Sequence, residues 1–182
     1  MCEKSLTKKN QKTWCVIMKR ELASFFTSPI AYIVTGLFLL ITGFWYFSTF
    51  FLTSVASLRT FFELLPIMFC LFVPALTMRV FSEENRIGSM ETLVTLPVSS
   101  VEIVMGKYLA SFISTLVLLV PTVFYVITES ILGNPDFGPI IGAYIGAFFL
   151  LASYSAIGVF ASSVTKNQIL SFFVAFIICA VL

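Results

Sequence analysis

Residues 30–52 read IAYIVTGLFLLITGFWYFSTFFL, an unbroken stretch without a single charge. As an α-helix this stretch is long enough to cross the roughly 30 Å hydrocarbon core of a bilayer. Ser28-Pro29 stands just before it, where serine can cap a helix and proline suits the first helical position. Working outward, the pattern repeats. Residues 61–80 form a second span, with Glu63 near one end and Arg79 near the other; Pro66 and Pro74 inside it predict kinks. Residues 108–128, interrupted by Pro121, and residues 137–165 are uncharged and give a third and a fourth span. Asn134-Pro135-Asp136 marks the turn between them. After Lys166-Asn167-Gln168, residues 169–182 begin a fifth. As a helix this last stretch is only roughly 21 Å long at about 1.5 Å per residue, so the natural protein is expected to continue and complete it. The chain therefore reads as an all-α polytopic membrane protein with a single transmembrane domain and five visible spans.

Composition agrees. Apolar residues make up 59% and charged residues 11% of the chain, with a mean hydropathy of +1.02. A soluble domain carries about 25% charged residues, so most of this surface must face lipid. A net charge of +2 does not point to nucleic acid as a partner. The absence of histidine removes a Ser-His-Asp triad, a Cys-His pair and any His-ligated zinc. Cys2, Cys15, Cys70 and Cys179 lack CxxC spacing and read as reduced packing residues, so no metal site is expected. The N-terminus is polar and basic, unlike a signal peptide.

Residues 1–13 read as a polar cytoplasmic tail. From residue 14 to residue 27 apolar positions recur at helical spacing: Trp14, Ile17, Met18, Leu22 and Phe25, with Lys19 and Arg20 off that face. A basic amphipathic helix of this kind suits the membrane interface. Glu21 falls inside the apolar arc, and two readings stay open: it snorkels to water, or it forms a buried pair with a neighbouring segment. With the N-terminus placed in the cytoplasm, every basic residue except Arg59 lies on the inside, as the positive-inside rule prefers. Both outer connections are then too short to form a folded domain.

The inside connection at 81–107 is unlike the rest. It holds Glu83, Glu84, Glu91 and Glu102, four of the nine acidic residues. Gly88 breaks the chain, Ser89 can cap a short helix over 90–96 that presents Met90, Leu93, Val94 and Leu96, and Pro97 follows. Ser99 with Glu102 forms a capping box for the helix leading into the third span. The segment is either an ordinary hydrophilic connector or a short transverse helix. In the second case its apolar residues need a partner, the membrane surface or another protein.

The run FSEENRIGSMETLVTLPVS, at 81–99, resembles the first cytoplasmic loop of permeases of ABC-2 type transporters, and KRELASFFTSPIAY, at 19–32, resembles the same family's elbow helix and entry to its first span. The likeness covers essentially the whole chain. It is greatest to the compact permeases without a large outer domain, including those linked to gliding motility and copper-enzyme maturation. It implies six spans in the full chain, a second permease copy (homodimer or heterodimer), and separate soluble P-loop ATPase subunits that carry ATP and magnesium. It also implies that 89–96 is the coupling helix, that Glu83, Glu84, Arg86, Gly88 and Glu91 are the charged pattern around it, and that Glu21 holds the family's acidic elbow position and has a structural partner.

No phosphate-binding loop is visible. Gly106-Lys107 is followed by Tyr108 and has Val101 where the first glycine belongs, so ATP chemistry falls to a partner and this chain is not the enzyme. In the fourth span Gly138, Gly142 and Gly146 form a small-residue ridge. It reads first as packing within the chain and second as a subunit interface. Phe44, Trp45, Tyr46, Phe47, Phe50 and Phe51 read as an interfacial aromatic belt, or in part as the lining of a path for amphipathic cargo. No complete span carries a deep uncompensated charge, which argues against an ion-coupled carrier. An exporter permease in a prokaryotic inner membrane is the favoured reading; an ion-coupled secondary transporter or a non-transporting anchor of an assembly machine is the alternative.

Overall fold

The computed structural model describes residues 2–53, 58–82, 99–132 and 136–182, with side chains throughout except at 2–13, 50–53 and 132. Those residues are helical, with no strand among them. The helices are α1 (Cys2–Thr27), α2 (Pro29–Thr53), α3 (Arg59–Thr77), α4 (Ser100–Leu119), α5 (Val123–Leu132), α6 (Phe137–Val164) and α7 (Gln168–Val181). Four stretches are long and apolar enough to cross a membrane: α2, α3, α4 continued through α5, and α6. The apolar helix α7 is shorter. The protein is a multi-pass helical membrane protein.

Local sequence explains the boundaries. Between Cys2 and Thr27 there is neither glycine nor proline, and lysine, glutamine and glutamate are good helix formers. The helix therefore starts at Cys2 rather than at Trp14. It ends at Ser28-Pro29, where one residue separates α1 from α2; Ser28 N–H still reaches Phe25 O at 3.1 Å. Pro66 and Pro74 both lie inside the continuous α3. Pro121 acts more strongly, turning Val120–Thr122 into a 3-10 segment between α4 and α5. The Thr122 hydroxyl meets the Leu119 carbonyl at 2.6 Å and the Tyr144 hydroxyl at 3.1 Å, which satisfies polar groups that lipid would leave unpaired. At the start of α4 the backbone N–H of Ser99 donates to Glu102 Oε2 at 3.3 Å, the glutamate half of the expected capping box.

The centre of the bundle is α3, which packs against α2, α4, α6 and α7. Phe61, Leu65, Phe69, Phe72, Val73 and Leu76 are buried along it. Phe38 of α2 stacks on Phe69 at 5.9 Å and meets Phe72 edge-on at 5.4 Å. Nearer the other end, Tyr46, Phe61 and Tyr125 join α2, α3 and α5, with ring separations of 5.0 and 5.3 Å to Tyr125. Large apolar side chains such as Ile33, Leu40, Phe44, Phe149, Phe160 and Ile177 point away from this core. A water-soluble protein would not present so much apolar surface; a lipid-facing one does. Of the aromatics expected to form a belt, Phe44, Trp45 and Phe47 are exposed and Tyr46 is buried in the core; Phe50 and Phe51 are not among the described side chains.

α3 and α6 meet closely at Gly158. A Cβ there would collide with Thr77 Oγ1 and stand 2.8 Å from Thr77 Cβ. The ridge of Gly138, Gly142 and Gly146 makes no such close approach among the described residues. Among the described residues a Cβ at Gly142 or Gly146 meets nothing within 4 Å, and one at Gly138 meets only Asp136 Oδ1 at 3.7 Å. Among the described residues these glycines sit on an exposed face of α6, and the close approach to α3 occurs at Gly158.

Candidate functional site

The acidic connection between α3 and α4 is held at both ends by buried polar contacts. At its entry, Ser162 of α6 accepts the backbone N–H groups of Phe81 at 2.9 Å and Ser82 at 3.0 Å, and donates to Met78 O at 3.1 Å. The Ser82 hydroxyl also bonds the Met78 carbonyl. One buried serine thus satisfies backbone groups just past the end of α3, where the helix leaves its own partners unmade.

At its exit, Lys107 of α4 is 1% exposed. Its ammonium donates to Val80 O at 2.7 Å and to Glu21 Oε1 at 3.4 Å, and lies 4.7 Å from the centre of the Phe81 ring. A buried ammonium has to be both paired and hydrogen-bonded, and here α1 supplies the counter-charge while the turn after α3 supplies the carbonyl. One position earlier, Gly106 lets α1 approach; a Cβ there would stand 3.0 Å from Trp14 O and 3.2 Å from Ile17 Cβ. Glycine at this position explains how α1 can lie against α4, its principal neighbour.

Arg79 completes the junction. Its Nη1 donates to Ser28 Oγ at 3.1 Å, linking the end of α3 to the joint between α1 and α2, and its Nε is buried without a hydrogen-bond partner among the described residues. Arg79, Lys107 and Glu21 line a cavity of about 110 Å³ together with Ser24, Ser28 and Ser111. Four helices and the entry to the loop therefore meet at one partly polar knot. What it can do is mechanical. The contacts tie the turn after α3 to α4 and α1 through Lys107 and Glu21, to the α1–α2 joint through Arg79 and Ser28, and to α6 through Ser162.

Of the site residues expected from sequence, Glu21 lies 3.4 Å from Lys107 with its own side chain 21% exposed. Lys19 and Arg20 are exposed, and Trp14 is half-buried against Gly106. Glu83, Glu84, Arg86, Gly88, Ser89, Met90, Glu91, Leu93 and Pro97 all lie outside the described residues. Sequence reasoning missed Lys107, Ser162 and Gly158. Residues 17–182, which take in the whole of this junction, match the family described as ABC-2 family transporter protein. The chain belongs to the ABC-2 family of transporter membrane proteins. No curated protein and no solved structure matches it. In this ABC-2 chain the knot stands at the two ends of the loop whose sequence first suggested the family.

Proposed function

We propose that this chain is the permease subunit of an ATP-binding cassette exporter, driven by ATP and magnesium held in a separate soluble P-loop ATPase. The single observation that carries the reading is Lys107, about two turns into α4 from the loop's exit at Ser99, which fastens that helix to both the turn after α3 and Glu21 of α1. Such fastening is what a loop needs if a partner is to push on it and move membrane helices rather than merely bend the loop. In this reading the α1 end, where the basic residues gather, faces the cytoplasm of a prokaryotic cell. The segment 89–96 is the coupling helix, with Glu83, Glu84 and Glu91 around it as the charged contacts. A second permease copy, the same chain or a similar one, completes the transporter. The compact outer connections agree with the gliding-motility and copper-enzyme-maturation type of permease.

Affinity purification of the chain from its native membrane in mild detergent tests this. A P-loop ATPase should co-purify, and should be lost from the Glu84→Lys/Glu91→Lys double variant while membrane insertion is kept. An intact complex holding no ATPase would favour the ion-coupled or anchor alternatives. Full ATPase binding and transport by the double variant would remove the coupling role from the loop.

A further inference from the structure

At the end of the bundle opposite α1, a cavity of about 600 Å³ opens between the start of α3, the end of α5 and the start of α6. Three carboxylates line it, Glu63, Glu129 and Asp136, against one guanidinium, Arg59. Two of the acids have assigned contacts. Glu63 pairs with Arg59 at 3.1 Å on an exposed surface, and Asp136 caps α6 by accepting the Gly138 N–H at 3.4 Å.

Glu129 is different. It is 2% exposed, and its carboxylate takes a backbone hydrogen bond from Leu58, but its Oε2 is buried with no hydrogen-bond partner among the described residues. A buried carboxylate oxygen without a partner is costly and calls for a cation or a donor. The carboxylates are also too dispersed to act as metal ligands: among the described residues no three acidic, cysteine or histidine side chains are grouped to hold an ion. The other described lining residues, among them Phe62, Pro139, Ile140 and Ala143, are apolar. Dispersed negative charge, a buried acceptor and an aromatic and aliphatic wall are what an organic ammonium group requires, since it carries diffuse charge on a partly apolar body.

The geometry points to this cavity as a binding site for an alkylammonium group, with Glu129 in its wall as the counter-charge. The same chemistry is offered by the amine of a phospholipid headgroup and by a free amphipathic amine. The binding step needs no ATPase, so its outcome is separate from the transport reading.

Saturation-transfer NMR with ethanolamine as the probe, on the purified chain in phosphatidylglycerol nanodiscs, is the test. Saturable binding is expected, weakened at least ten-fold by Glu129→Gln and by Ala143→Phe, which fills the cavity. Lys19→Gln, at the opposite end of the molecule, should bind as the wild type does, and acetate should not compete. The Ala143 variant keeps the test decisive if Glu129→Gln does not fold. Nanodiscs containing phosphatidylethanolamine separate the sources: blocked ethanolamine binding assigns the site to a lipid headgroup, and unchanged binding assigns it to a free amine. Absence of saturable binding to the wild type, or wild-type affinity in a folded Glu129→Gln or Ala143→Phe variant, overturns the proposal.

Discussion

Lys107 and Glu21 meet at 3.4 Å although 86 positions separate them, and the two ends of the pair differ in access to water: the lysine side chain is 1% exposed and the glutamate side chain 21%. The pair joins α1 to α4 at the exit of the acidic loop. Its asymmetry makes the consequences of removing each partner unequal.

Glu21→Gln takes the α1 carboxylate away from a buried ammonium, and breaking a buried pair from that side costs about 3–5 kcal/mol. Lys107→Met leaves Glu21 able to turn toward water and replaces the cation with a flexible apolar chain, so it should cost about 1–2 kcal/mol. Unfolding titrations in mixed micelles measure both. The double variant should be closer to Lys107→Met than to the sum, because the stranded charge is gone. Equal losses for the two single variants would overturn the predicted asymmetry, and a double variant equal to their sum would show that the pair contributes little.

Ser162→Ala removes the acceptor for the Phe81 and Ser82 N–H groups and leaves both buried. An orphaned buried donor costs about 1–3 kcal/mol. The global fold has α3, α6 and α7 packing to sustain it, so the loss should be concentrated at the loop entry. Hydrogen exchange at residues 81 and 82 should accelerate at least ten-fold while exchange within α6 stays slow. Unchanged protection at 81 and 82 would mean that Ser162 is not what holds them.

The spans were legible because long uncharged runs have one physical solution in lipid, and α2, α3, α6 and α7 follow them closely. The full length of α1 was not, because its first half is polar, and polarity suggests a tail even where nothing breaks the helix. Glu21 stood out as an acid in an apolar arc, yet angle alone does not say whether a partner faces it. Lys107 was hidden by its position at the polar edge of a span, where a lysine ordinarily snorkels; its burial depends on α1 folding back over it. Ser162 looks in sequence like any small residue in an apolar run. The glycine ridge was visible as a pattern, but spacing describes a helix face and not what lies opposite it.

That last distinction yields a paired test on α6. Gly158→Ala places a Cβ against the Thr77 side chain in the buried joint with α3, and neither residue sits at the far end of a flexible chain that could swing away. Overpacking of this kind costs about 1–3 kcal/mol. Gly142→Ala and Gly146→Ala add a methyl group where nothing lies within 4 Å, and alanine is the better helix former by about 1 kcal/mol. The first variant should therefore unfold at lower detergent denaturant and the other two at equal or higher, all measured on the isolated chain. If Gly142→Ala or Gly146→Ala proved as damaging as Gly158→Ala, the face they share would be packed against something that the isolated chain itself supplies, and the exposed ridge would have to be redrawn.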